Sequence, residues 1–122
     1  MFERKYVYAH PGKLDPEAMR AAAAQLIGEH DFSAFCTKRM KKSAVRRLES
    51  IEITEHGGEL RVMLTGNGFL YNMVRIIVGT LIEVGRGERD IESVAQALSS
   101  LDRQQAGFTA PSNGLFLWSV EY

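Results

Sequence analysis

The apolar positions along the chain change their spacing several times, and each change marks an element. Leu14-Asp15-Pro16 opens the first. Asp15 suits the N-cap, Pro16 the first helical position, and Leu14 with Met19 a hydrophobic staple. Ala21 to Ala24 favour helix and Gly28 is a natural stop, which predicts a helix over roughly residues 16–27. The following EHDFSAF mixes aromatic and small polar residues, as a packed turn or short helix does. Strict alternation then sets in through ESIEITEHGGELRVMLTG. Ile51 and Ile53 share one face, as do Leu60, Val62 and Leu64, so a hairpin turning at Gly57-Gly58 is predicted. In NGFLYNMVRIIVGTLIEVG the alternation gives way to a long apolar run, read as a helix capped by Asn67 and ended by Gly85. IESVAQALSS after Asp90 predicts a shorter helix, LDRQQAG a further turn, and FTAPSNG a loop. The last run, LFLWSVEY, places Phe116, Trp118, Val120 and Tyr122 on one face of a strand. No internal repeat or linker interrupts this order. Helices mixed with a hairpin imply an α+β fold, an antiparallel sheet packed with helices.

Composition narrows the class. A chain of 122 residues supports one domain with one modest core. Its 45% hydrophobic and 25% charged content excludes a disordered or fibrous protein. Cys36 is the single cysteine, which rules out an internal disulfide framework and fits a reducing compartment. The opening MFERKYVYAH is charged and has no apolar segment of the secretory kind. The long apolar run approaches the length of a short membrane span, but Asn72, Arg75 and Glu83 argue against insertion. The expectation is a cytoplasmic domain with no membrane partner.

Charge raises two questions. The first is Arg75, a cation inside the apolar run. A buried arginine keeps its proton and needs an acceptor. Asn72, Arg75, Gly79, Glu83 and Arg86 follow at helical spacing, so they can form a narrow wet stripe in which Glu83 and Arg86 pair. The alternative is an arginine at the rim of a cleft, poised for a carboxylate or phosphate. The second question is TKRMKKSAVRRL. Lys38, Arg39, Lys41, Lys42, Arg46 and Arg47 stand there without an acid, and since the chain is neutral the remainder carries a formal minus six. Such segregation is either a solvated basic loop or a footprint for a polyanion such as RNA. His30, Cys36 and His56 lack metal-ligand spacing and no CxxC pair exists, so no metal is expected. A nucleophilic Cys36–His30 pair is conceivable, although a cysteine in AFC reads more simply as core. GRGERD and NGF match neither a P-loop nor a dinucleotide fingerprint.

Three segments in order take the reading further: LDPEAMRAAAAQLIGEHDFSAFC, NGFLYNMVRIIVGTLIEVGRG and LDRQQAGFTAPSNGLFLWSVEY. Together they resemble the C-terminal half of a tRNA pseudouridine synthase of the TruA family, over almost the whole chain from about Leu14 to Tyr122. The resemblance implies that residues 1–122 form a C-terminal domain, one half of the pseudouridine synthase catalytic fold. It implies an isomerase of uridine in the tRNA anticodon stem-loop, without cofactor or metal, working as a homodimer. An aspartate of the family acts as covalent catalyst, and its motif lies in an N-terminal half that these residues do not contain. Tyr6 and Tyr8 do not reproduce the family's upstream tyrosine motif. Arg75 occupies the arginine of the family's MVR segment, which implies that it pairs with that aspartate. Asn67, Phe69 and Tyr71 are then expected to line the cleft. Lys38, Arg39, Lys41, Lys42, Arg46 and Arg47 become a surface for the tRNA backbone. Alone, this half is expected to be inactive; a non-catalytic RNA-binding or oligomerisation domain is the alternative.

Overall fold

A computed structural model describes residues 3–9, 14–36, 43–56, 59–69, 72–107, 109 and 116–121; for the first and last strands, and for His56 and Glu59, it describes the backbone alone. The elements are β1 (Glu3–Ala9), α1 (Pro16–Ala24), β2 (Gly28–Asp31), β3 (Val45–His56), β4 (Glu59–Gly66), α2 (Met73–Gly85), α3 (Glu92–Ser100) and β5 (Phe116–Glu121). Single 3₁₀ turns lie at Ser33–Phe35 and Arg103–Gln105. Helices packed on one antiparallel sheet make the fold α+β, as the pattern of positions predicts.

The five strands run in the order β2-β3-β4-β1-β5, every neighbouring pair antiparallel. The predicted hairpin is β3–β4, closed at His56 opposite Glu59 around the two glycines, which lie outside the described residues. Ile51 pairs with Leu64 and Ile53 with Val62. Ile53, Leu60, Val62 and Leu64 are buried, so the alternation does set one apolar face. Two strands escape the sequence reading. β1 lies between β4 and β5, pairing Val7 with Val62 on one side and with Trp118 on the other. Its neighbours come from the middle and far end of the chain, so no local pattern announces the pairing. β2 is only four residues long and pairs His30 with Arg46. β3 also begins before the alternation does, so Arg46 and Arg47 belong to a strand rather than to a basic loop. The predicted last strand is present as β5, but the facing of its side chains lies outside the described residues.

Helix α1 starts as its residues require. The Asp15 carboxylate accepts from the amides of Glu17 and Ala18, at 3.1 and 3.3 Å, and Pro16 follows it. The helix stops at Ala24 rather than near residue 27. The Gln25 side chain is taken up by α3, donating to Ile91 O at 2.8 Å and accepting from Ala95 N at 3.1 Å. Leu26 then turns fully into the core, and Gly28, with φ of 106°, begins β2 instead of ending the helix.

α2 is the centre of the molecule. Eleven of its thirteen residues are buried, leaving only Arg75 and Glu83 half-exposed. Its Ile76, Ile77 and Leu81 share one core with Met19 and Leu26 and with the sheet residues Ile53, Val62 and Leu64. Each such side chain contributes about 1.5–3 kcal/mol by leaving water. A helix apolar all round is an interior helix. The wet stripe therefore breaks at its middle, because Gly79 is buried. Glu83 pairs with Arg89 at 3.2 Å.

Candidate functional site

The site is built where the β-hairpin hands the chain to α2. Asn67 does not cap α2; it closes the hairpin's far end instead. Its amide donates to Arg47 O at 3.0 Å, while its side-chain oxygen accepts from Arg47 N at 2.9 Å. The reason is spacing: α2 begins six residues later, at Met73, too far for the Asn67 side chain to serve its first turn. Gly66 makes this closure possible, since a Cβ there would stand 2.8 Å from Arg47 O. Phe69 packs half-buried against the core, its ring tip 3.6 Å from that same Cβ position.

Arg46 lies against this connection as well. Its Nε is 3.6 Å from the Cβ position of Gly68, and its Nη1 donates to Ser43 O and Val45 O at 3.0 and 2.7 Å. Arg47 is more open and pairs with Glu49 at 2.7 Å, side chains 54% and 37% exposed. Part of the charge of the basic segment is thus already balanced by an acid just beyond it. Such an exposed pair holds little stability, about 0–1 kcal/mol, and yields readily to a phosphate. Lys38, Arg39, Lys41, Lys42 and Tyr71 lie outside the described residues.

Arg75 sits half-buried in the first turn of α2. Its Nη1 donates to the side-chain oxygen of Asn72 at 3.2 Å. Asn72 is the residue that immediately precedes the helix, with a left-handed backbone, φ 61° and ψ 7°, and no side-chain capping bond. A residue with a Cβ pays roughly 1–2 kcal/mol for this conformation, asparagine least among them. Forgoing an asparagine N-cap costs about 1 kcal/mol more. Sequence reasoning placed Asn72 on a polar stripe and missed its role as the side-chain partner of Arg75. The signal was present as an i,i+3 pair of an amide and a guanidinium at a helix start.

Cys36 belongs to the core, and His30 contacts Ile27 O at 2.9 Å with its ring edge-on to Phe32. Among the described residues no group of three or more His, Cys, Asp or Glu could hold a metal ion. No helix among them is long and apolar enough to cross a membrane. What the geometry offers is a half-buried cation in the first turn of the most buried helix, and two arginines of β3, Arg46 and Arg47, that pack against Gly68 and bond Asn67 at the start of the connection. Chemically, it suits the orientation of an anion.

Comparison with known proteins gives the family. A family model described as tRNA pseudouridine synthase matches residues 22–122. The chain is 50% identical over 123 residues to "tRNA pseudouridine synthase A 1" of Bacillus cereus, covering 100% of this chain and 50% of that protein. It is equally similar, with the same coverage, to "tRNA pseudouridine synthase A" of Anoxybacillus flavithermus. With the protein of that name from Halalkalibacterium halodurans it shares 50% over 116 residues, 94% of this chain and 44% of the relative. The chain spans about half the length of the curated relatives it matches. With the family model matched from the last turn of α1 to the last residue, the chain belongs to the tRNA pseudouridine synthase family.

Proposed function

We propose that this chain is the C-terminal half of an enzyme that isomerises uridine to pseudouridine in the anticodon stem-loop of tRNA. The observation that carries the reading is the family match over a chain half as long as its relatives, with Arg75 half-buried at the start of the central helix. In this reading an N-terminal half supplies the aspartate that acts as covalent catalyst. The target uridine leaves its stack, which costs a few kcal/mol in base-flipping systems. The aspartate serves as nucleophile, the N1–C1′ glycosidic bond breaks and the uracil turns; C5 then bonds to C1′ with release of the aspartate, C5 losing a proton and N1 gaining one, so that the net change is an isomerisation. Arg75 pairs with the aspartate, lowers its pKa so that it stays ionised, and fixes its direction. Asn67, Phe69 and Tyr71 line the approach. Lys38, Arg39, Lys41, Lys42, Arg46 and Arg47 meet the tRNA backbone, where cations position the substrate without reading its sequence. A homodimer acting on cytoplasmic tRNA completes the proposal.

The test is an assay of pseudouridine formation on an anticodon stem-loop, with this chain alone and with the enzyme containing both halves. The expected result is turnover only when both halves are present. Robust turnover by this chain alone would sink the assignment of the catalytic group to the other half. Salt-dependent tRNA binding with no turnover in either preparation would favour a non-catalytic RNA-binding domain.

A further inference from the structure

We propose that Asn72 is a positioning residue for Arg75, its side chain used to aim the guanidinium instead of capping α2; this rests on the role proposed above for Arg75. An asparagine just before a helix ordinarily turns its side-chain oxygen onto the amide of the second or third helical residue, from an extended backbone. Asn72 departs from both habits. Its backbone is left-handed and its side chain makes no capping bond. The oxygen accepts from Arg75 Nη1 at 3.2 Å instead.

The main chain of Asn72 is held independently. Its carbonyl accepts from Ile76 N at 2.9 Å, the first rung of the helical ladder. Beyond it lie Met73, Val74, Ile76 and Ile77, all buried. The acceptor for Arg75 is therefore mounted on the rigid start of the central helix, one turn before the arginine it serves.

The chemistry of the acceptor matters. An amide oxygen orients a guanidinium without neutralising it, so this bond does not itself use up the positive charge. A carboxylate at the same place would keep the hydrogen bond and would also pair with the cation. It would then compete with the anion that Arg75 is meant to hold. Asparagine and aspartate both tolerate a left-handed backbone. An exchange between them keeps an oxygen for Arg75 to bond, while replacing the amide NH2 by a second, charged oxygen.

The experiment uses the intact two-half enzyme with Asn72→Gly, Asn72→Asp and Arg75→Ala, and each Asn72 variant combined with Arg75→Ala. Single-turnover pseudouridine formation, KM for tRNA and melting temperature are measured. Asn72→Gly keeps the left-handed turn and loses the acceptor. Its rate is expected to fall about tenfold, with KM within about twofold, as loss of orientation does. Asn72→Asp is expected to fall at least as far, despite keeping an acceptor. On the Arg75→Ala background neither substitution should reduce the rate further, because both act through one guanidinium. A wild-type rate for Asn72→Asp overturns the proposal, as does an Asn72→Gly loss that persists in full without Arg75. A rate loss that only follows loss of folded enzyme overturns it too. If Arg75→Ala is crippled while Asn72→Gly is not, the positioning role alone fails. If Arg75→Ala keeps full turnover, the proposed role of Arg75 fails and this one falls with it.

Discussion

The two ends of α2 each carry an arginine nearby, and the two are used differently. At the C-terminal end Arg89 joins distant parts of the chain. Its Nη1 bonds Glu83 at 3.2 Å, its Nε bonds Ser93 at 2.8 Å, and its Nη2 bonds Gln105 O at 2.6 Å. Close by, Thr80 is fully buried, donating to Ile76 O at 2.7 Å and accepting from Gly107 N at 2.9 Å. Arg103 holds the same segment, donating to Gly107 O at 2.8 Å and to Thr109 at 3.1 Å. At the N-terminal end, the hydrogen bond between Arg75 and Asn72 spans three residues of one turn. One cation fastens segments of the fold to each other; the other finds an acceptor in the residue just before its own helix. The difference predicts that substitutions at the C-terminal end lower stability, whereas those at the N-terminal end lower turnover.

The strongest way to break that contrast is Arg75→Ala in the intact enzyme. Turnover should drop about a hundredfold or more, the scale expected when a preorganised electrostatic partner is removed. The melting temperature should stay close to that of the parent. A large fall in melting temperature with turnover per folded molecule preserved would make Arg75 a structural residue like Arg89.

Next in size are changes at the other end. Gly107→Ala would put a Cβ 2.7 Å from the Thr80 Cα and 3.0 Å from the Glu83 carboxylate. Overpacking of this kind costs about 1–3 kcal/mol, readable by urea unfolding. Thr80→Val keeps the shape but leaves the Gly107 amide without its acceptor, for a loss of about 1–3 kcal/mol. Unchanged stability in both would show that this network does not hold the fold.

A smaller effect concerns the start of β3. Replacing Arg46 and Arg47 by alanine should weaken tRNA binding by the intact enzyme similarly across sequences. The salt slope should fall by about 0.7–0.9 for each phosphate that is no longer neutralised. An unaltered slope would leave these arginines to the sheet alone. The smallest change is expected at Glu17, whose pairing with Arg20 is open to water, the glutamate side chain being 84% exposed. Glu17→Gln should shift unfolding by less than about 0.5 kcal/mol.

Much of this molecule can be read from local pattern. Asp15 and Pro16 start α1 where their chemistry requires it, and the alternation from Ile51 to Leu64 marks the hairpin. The long apolar run marks the buried helix, and the MVR segment singles out Arg75. These features are legible because caps, alternation and helical runs depend on residues a few places apart.

What the sequence did not disclose depends on partners distant along the chain. β1 is a strand because residues 60–66 and 116–121 flank it. α1 ends early because Gln25 finds α3, and Asn67 is drawn to Arg47 across the sheet rather than to the helix after it. The pairing of Asn72 with Arg75 is local in sequence, but a left-handed backbone at Asn72 was needed to turn the side chain from its capping position. Short-range chemistry thus determined most of the elements, and the resemblance to a family drew attention to the arginine. Tertiary packing decided which polar side chains were claimed by the fold, because a buried hydrogen-bonding group takes whichever partner the folded chain brings within reach.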